Sequence, residues 1–244
     1  MVLSVQAVSK SFGAVQVADN VSFDVQHGDA VGIIGPNGAG KTSLFNLITG
    51  DLSPASGTIL LDKTDVTKLA TRQRSRLGIA RTYQIPLPFV GLSVFENVLV
   101  GGIFAARYGD QSPEQLCMDV LRQTGLSHRA DSIAGTLSLL DRKRLELARA
   151  LATQPRLLLL DEIAGGLTEA ECLELVGLIQ NIRRQGTTII WIEHIVHALL
   201  RVVQHLIVLD RGRIVAMGEP HAVMNSAQVR EIYLGVEPDA ESLQ

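Results

Sequence analysis

Gly35-Pro36-Asn37-Gly38-Ala39-Gly40-Lys41-Thr42 is the stretch from which the rest of the chain can be read. It has the spacing G-x-x-x-x-G-K-[ST] of a phosphate-binding P-loop. Its flanks are what such a loop requires. Ala30-Val31-Gly32-Ile33-Ile34 is a short apolar run, as expected of a buried parallel strand, and Thr42 to Ile48 reads as a helix packed on it. The loop therefore joins a strand to a helix N-terminus, where unpaired backbone N–H groups and the helix dipole attract anions. Glycines let the backbone curl around a phosphate with its N–H groups inward. The expected cradle is Gly35, Pro36, Asn37, Gly38, Ala39, Gly40, Lys41, Thr42 and Ser43. Lys41 is placed to put positive charge on the β- and γ-phosphates, and Thr42 to offer its hydroxyl to Mg²⁺. The motif implies a nucleoside triphosphate, without saying what its energy is used for.

Composition narrows the classes. The 244 residues suffice for one large α/β domain, or a core with a smaller inserted lobe. A net charge of -3 offers no basic footprint, so no nucleic-acid partner is expected. Cys117 and Cys172 are far apart and lack metal-ligand spacing, which fits a reducing cytoplasm. Met1 to Ser11 has no basic start followed by a long apolar run, so no signal peptide is expected. No apolar run approaches the roughly 18 residues that span a bilayer. A membrane role is expected to come through a partner.

Outward from the loop, Leu3–Val8 and Val21–Val25 alternate apolar and polar residues, as half-buried antiparallel strands do. Phe12 lies between them beside Gly13. A lone aromatic there is placed either to stack on a purine ring or to join a small core cluster. Gly57–Leu61 is a further short strand. Lys68, Arg72, Arg74 and Arg76 read as a solvated helix face. A strand-like stretch from Ile79 ends at Gln84, and Pro86 and Pro88 just beyond it mark a lobe boundary. From Val94 to Ala152 the pattern is mostly helical. Ser112-Pro113-Glu114 supplies a cap, a first-turn proline and an acid for a helix ending near Thr124. Leu140–Thr153 is helical too. Arg142, Lys143 and Arg144 in its first turn oppose the helix dipole and call for solvent, an anion or an acidic neighbour.

Leu157–Leu160 is a buried strand that ends on Asp161-Glu162. In open α/β sheets ligands bind at the carboxyl ends of strands, which brings both carboxylates to the P-loop's crevice. Asp161 suits holding Mg²⁺ through water as a hard oxygen ligand. Glu162 suits orienting and polarising an attacking water as general base. Glu169–Arg184 is an amphipathic helix with Cys172 on its core face. Thr187–Ile192 is the next buried strand, and it ends on Glu193 and His194. A histidine there can hydrogen-bond a γ-phosphate. A metal pair with His197 would lack a third ligand at suitable spacing. Leu206–Asp210 and Arg213–Ala216 flank a hairpin turn at Arg211-Gly212. Glu219–Tyr233 reads as helical and Glu237–Gln244 as a polar tail.

This set of motifs, in this order, resembles the ATP-binding cassette (ABC) ATPases over nearly the whole chain. The resemblance implies an α/β fold: a P-loop (RecA-like) nucleotide-binding core with an antiparallel β subdomain, residues 1–84 and 153–236, and an inserted α-helical subdomain, residues 85–152. It implies ATP and Mg²⁺ as cofactors. Phe12 then sits where the family stacks adenine. Gln84 resembles the Q-loop glutamine, which contacts Mg²⁺ beside the membrane subunit. Asp161 and Glu162 resemble the Walker B pair and His194 the switch histidine, so Lys41, Glu162 and His194 are the expected catalytic groups.

Arg81-Thr82-Tyr83-Gln84, Glu96–Gly101, Leu209–Arg213 and Tyr233-Leu234-Gly235 resemble one subfamily more closely. It comprises the ATP-binding subunits of branched-chain amino acid importers, with lipopolysaccharide-export ATPases as near relatives. Such a subunit is expected at the cytoplasmic face of the inner membrane, as a peripheral partner of permease subunits. A second, distinct ATP-binding subunit and a periplasmic substrate-binding protein complete the system. The resemblance fits two alternatives poorly. A cassette ATPase acting on nucleic acid or the ribosome usually carries two cassettes or a long coiled-coil insert, and a small-molecule kinase needs an acceptor site and a lid.

The family's signature Leu-Ser-Gly-Gly-Gln falls here at Leu137-Ser138-Leu139-Leu140-Asp141. Ser138 keeps its expected contact with nucleotide. The two leucines restrict the backbone and add bulk where close approach is needed. Ile163 and Thr168 are lesser departures. In a homodimer both ATP sites would use the altered loop and in a heterodimer only one, so a heterodimer is the expectation.

Overall fold

A computed structural model describes residues 1–103 and 111–234. β1 (Leu3–Phe12) and β2 (Val15–Val25) form an antiparallel hairpin turned at Gly13. Both run further than their alternation predicts, and Phe12 is the last residue of β1 rather than part of a loop. β3 (Ala30–Ile34) delivers the chain to the P-loop and α1 (Lys41–Thr49) carries it away. β4 (Ser56–Leu61) and β5 (Thr64–Asp65) complete a four-stranded sheet in the order β2-β1-β4-β5. α2 (Thr71–Arg76) and β6 (Ile79–Arg81) lead to α3 (Val94–Ile103), α4 (Pro113–Gln123) and α5 (Leu139–Ala152). The chain then alternates β7 (Leu157–Asp161), α6 (Glu169–Arg184), β8 (Thr188–Ile192), α7 (Val196–Leu200) and β9 (His205–Asp210). It closes with β10 (Arg213–Gly218), α8 (Pro220–Met224) and α9 (Ala227–Leu234).

The second sheet is six-stranded, in the order β10-β9-β3-β8-β7-β6. All its neighbours are parallel except the β9–β10 edge pair. Its central strands are apolar without a break because both faces are covered. Side chains alternate between those faces. Val31, Ile33, Leu159, Ile190 and Ile207 share a core with Phe45 and Ile48 of α1 and with Val5 and Phe23 of the antiparallel sheet. Ile34, Leu158, Trp191 and Val208 share the other core with α3 to α6. The expected α/β fold class is thus the observed one, with α1 buried in the core that the two sheets share. β3 lies between β8 and β9, so the loops after β3, β7 and β8 open at one end of the sheet, where the strand order places a ligand crevice.

Local sequence accounts for the helix starts. Ser112 Oγ accepts the Gln115 N–H at 3.3 Å, with Pro113 in the first turn, as its motif predicts. Thr168, a departure from the family pattern, caps α6 through Glu171 N–H at 3.3 Å. Two expectations need correction. Arg74 does not belong to a solvated face: it is 1% exposed and donates to the carbonyls of Leu47, Ile48, Thr67 and Leu69. The first two are last-turn acceptors of α1, where a cation also suits the helix dipole. The helix read from Glu219 to Tyr233 is broken in two, because Asn225 caps α8 and Ser226 Oγ donates to Val223 O at 2.7 Å. The polar tail 237–244 lies outside the described residues. Among the described residues no helix is long and apolar enough to cross a membrane.

Candidate active site

At Gly35 and Gly40 the P-loop is held by main-chain contacts that leave no room for a side chain. A Cβ on Gly35 would lie 2.1 Å from Leu209 O, and one on Gly40 2.2 Å from Val17 O. Gly40 also has φ 100, which L-residues rarely adopt, and it caps α1. Gly38 faces open space. Lys41 is buried and folds back over the loop, its Nζ donating to Gly35 O at 2.7 Å and Pro36 O at 3.0 Å. Burial lowers its pKa, and the charges of Glu162 and Asp161 act against that shift. Thr42 and Asn37 are exposed at the mouth, and Pro36, Gly40 and Ser43 are half-buried. Ala39 packs into the core beneath.

The strand expected to reach Gln84 stops at Arg81, so Gln84, Glu162 and His194 come from the loops after β6, β7 and β8, and they meet. Glu162 Oε2 accepts Gln84 Nε2 at 2.6 Å, and Glu162 Oε1 lies 2.8 Å from His194 Nε2. The glutamate is aimed by its backbone: it has φ 45, an uncommon left-handed conformation for a side-chain-bearing residue, and its N–H is tied to Ile192 O at 2.9 Å. Asp161, the last residue of β7, is buried, and its Oδ2 is paired with Arg81 Nη2 at 2.5 Å. Phe12 stands 50% exposed at the hairpin tip, with Lys10 Nζ 5.4 Å from its ring centroid. It is therefore not in a core cluster. His197 is exposed on α7 and joins no metal-holding cluster among the described residues.

Several supporting groups escaped the sequence reading. In the sequence Glu193 reads only as a polar strand end. It is 2% exposed and accepts the N–H groups of Ala164 at 3.1 Å and His194 at 3.0 Å, so it ties the loop bearing Glu162 to the loop bearing His194. Burial raises its pKa, and those N–H donors resist the shift. The basic first turn of α5 is resolved by different partners. Lys143 is buried and donates to Gln84 O at 2.8 Å. Arg142 reaches Leu137 O and Gly135 O, and Arg144 pairs with Glu174 at 2.6 Å. Lys143 was identifiable as an oddity by its charge in a first turn, whereas its partner, 59 residues away, was not.

The altered signature loop is only half as obstructive as expected. Ser138 is exposed and caps α5, accepting Asp141 N–H at 3.2 Å. Leu140 is 7% exposed and packs inward, which takes its bulk off the surface. Leu139 is 42% exposed and is the side chain that changes the outer face.

Known proteins resemble the chain over nearly its whole length. Residues 18–165 match the ABC transporter family. The chain is 35% identical to the high-affinity branched-chain amino acid transport ATP-binding protein LivG of Escherichia coli (strain K12), over 96% of this chain and 97% of that one. It is 31% identical to the lipopolysaccharide export system ATP-binding protein LptB of Haemophilus influenzae, over 96% and 97%. Among solved structures, the ADP conformation of an ATP-binding cassette of an ABC transporter superimposes with a TM-score of 0.87 at 32% identity, covering 96% of this chain and 99% of that one. The chain belongs to the ABC transporter family, as an ATP-binding and ATP-hydrolysing subunit of a transporter.

Proposed function

We propose that the chain is the energy-coupling ATPase of a membrane importer for branched-chain or related amino acids. One observation carries the ATPase half of the reading: Gln84, Glu162 and His194 converge within 2.6 and 2.8 Å beside the P-loop. The extent of the similarity to LivG supports the importer half. Lys41 would leave the Gly35 and Pro36 carbonyls for the β- and γ-phosphates, with loop N–H groups around them. Phe12 would stack on adenine. Glu162 would take a proton from the attacking water once Gln84 or His194 releases a carboxylate oxygen, and His194 would then turn to the γ-phosphate.

The donor set fits a hard divalent cation. Thr42 offers an exposed hydroxyl, Gln84 spends only its amide nitrogen on Glu162, and Arg81 takes only Oδ2 of Asp161. These residues would hold Mg²⁺, which when bound neutralises charge on the phosphates.

The partner surface in this proposal is the groove of about 730 Å³ lined by Thr71, Arg72, Tyr83, Val100, Gly101 and Arg149. Next to it Ile85, Leu87 and Val90 are exposed. This face, between Gln84 and the segment 85–152 taken as a helical subdomain, would receive permease subunits at the cytoplasmic side of the membrane. A substrate-binding protein completes the importer. Exposed Leu139 supports a heterodimer with a second ATP-binding subunit, in which only one ATP site uses the altered loop. The similarity to LptB supports lipopolysaccharide export as the second reading.

Reconstitution with permease subunits of each transporter type tests both. Amino-acid-loaded binding protein is expected to stimulate ATP hydrolysis several-fold. Stimulation by lipopolysaccharide instead would replace the importer reading. Full hydrolysis by the isolated chain, without a second ATPase, would overturn the heterodimer.

A further inference from the structure

The Arg81 side chain is almost covered where the wall of the groove of about 730 Å³ meets Asp161, and no feature of the P-loop chemistry accounts for it. Its Nη2 lies 2.5 Å from Asp161 Oδ2 and its Nη1 2.6 Å from Asn46 Oδ1, while Asp51 Oδ2 stands further off at 3.9 Å. The guanidinium carbon is 5.5 Å from the Phe45 ring centroid and 5.1 Å from that of Tyr83. The Arg81 and Asp161 side chains are 7% and 8% exposed. Three elements meet here: β6 bears Arg81 and leads into Gln84, α1 bears Asn46, and β7 ends at Asp161.

Two details separate this pair from an ordinary buried staple. Arg81 Nε is buried and makes no hydrogen bond among the described residues, so the guanidinium is incompletely matched to its pocket. The carboxylate it neutralises is also the one that the proposed site offers to a divalent cation. A buried ionised carboxylate is costly unless a cation or hydrogen-bond donors compensate it. When no metal is present, Arg81 is that cation.

We infer that Arg81 is the resident counter-ion of Asp161 and competes with the divalent cation for it. Arg81 keeps the site folded without nucleotide and excludes the metal on its own. Metal enters only with nucleotide, whose phosphates supply further ligands, and its arrival weakens the hold of Arg81 on Asp161. Because Arg81 is three residues from Gln84, that loosening is passed directly to the Q-loop. The inference rests on the reading of Asp161 as a metal-site residue.

The test uses the full-length chain and Mg²⁺ or Mn²⁺ alone, without nucleotide. In Arg81→Met the carboxylate loses its paired cation and keeps only the more distant charge of Lys41. Its melting temperature is expected to fall, and millimolar Mg²⁺ or Mn²⁺, but not KCl at equal ionic strength, is expected to restore it. Wild type and the double variant Arg81→Met/Asp161→Asn are expected to ignore the metal, and the double variant to melt above the single one. A metal-insensitive Arg81→Met overturns the inference. If Arg81→Met does not fold, Arg81→Lys gives the second reading. Its shorter point charge holds Asp161 less well, so the ratio of ADP Kd in EDTA to that in Mg²⁺ is expected to rise at least about fivefold over wild type, a shift of about 1 kcal/mol. An unchanged ratio overturns the inference. Asp161→Asn by itself separates the two levels: if the Mg²⁺ enhancement of ADP binding survives it, the metal assignment fails, whatever Arg81 does.

Discussion

Replacing Arg74 with alanine should cost more stability than any other substitution of a basic residue in α2, although the side chain touches no part of the nucleotide site. Four charge-assisted hydrogen bonds disappear, to the carbonyls of Leu47, Ile48, Thr67 and Leu69 at 2.6 to 2.9 Å. Each is of a kind that contributes about 1.5–3 kcal/mol net, and a buried carbonyl left without a donor costs about 1–3 kcal/mol. Relief of the guanidinium's own desolvation works the other way. That desolvation is the main reason its pKa is lowered. The balance is a loss of about 3–5 kcal/mol, a large share of the roughly 5–15 kcal/mol that holds a domain folded. Arg74→Lys recovers only part of it, because an ammonium cannot address carbonyls spread along both sides of a planar fork. Arg72→Ala and Arg76→Ala serve as exposed controls, expected within about 0.5 kcal/mol. Urea denaturation read by the fluorescence of Trp191, which is fully buried, and by far-ultraviolet circular dichroism gives the midpoints. A loss below about 1 kcal/mol for Arg74→Ala would refute the reasoning, since it would mean that α1 needs no cap from α2.

Gly40→Ala puts a methyl 2.2 Å from Val17 O at φ 100 and should weaken ADP binding at least about tenfold, which equilibrium dialysis would show; unchanged affinity would contradict the cradle. Phe12→Ala removes an exposed ring, so it should leave the urea midpoint unchanged while lowering ADP affinity about three- to tenfold. Glu146 is buried beside Arg149, and burial raises its pKa above 4.5. At pH below 4.5 it is protonated folded or unfolded and contributes no pH dependence. As pH rises from 4.5 through the raised folded-state value, the unfolded chain releases its proton first, so wild type loses stability relative to Glu146→Gln. Urea midpoints of the two proteins across that window should therefore diverge in favour of the variant, and a constant difference would sink the assignment.

What could be read in advance was whatever lies contiguous along the chain. The P-loop, the four-leucine strand ending on Asp161-Glu162 and the Ser112-Pro113 cap are local chemistry, and the fold repeats them. What could not be read depends on partners brought together by folding. Arg74 looked solvated because its exposed neighbours share its charge, while its acceptors on α1 are 26 and 27 residues earlier. Arg81 and Asp161 are 80 residues apart, on adjacent strands whose register no periodicity fixes. Leu140 looked as obstructive as Leu139 because a repeated residue carries no sign of which copy faces inward. Only the start of α5 at Leu139, capped by Ser138, turns one into the core and the other to the surface.

The central claim is that Glu162, held between Gln84 and His194, is the base that turns bound ATP over for transport. Single-turnover hydrolysis of ATP by wild type and Glu162→Gln, each assembled with permease subunits, tests it most directly. ATP affinity within about threefold of wild type, with hydrolysis slower by about a hundredfold or more, is the predicted result. Hydrolysis at the wild-type rate by a variant that binds ATP normally would contradict the claim, and the base would have to be sought elsewhere in the crevice.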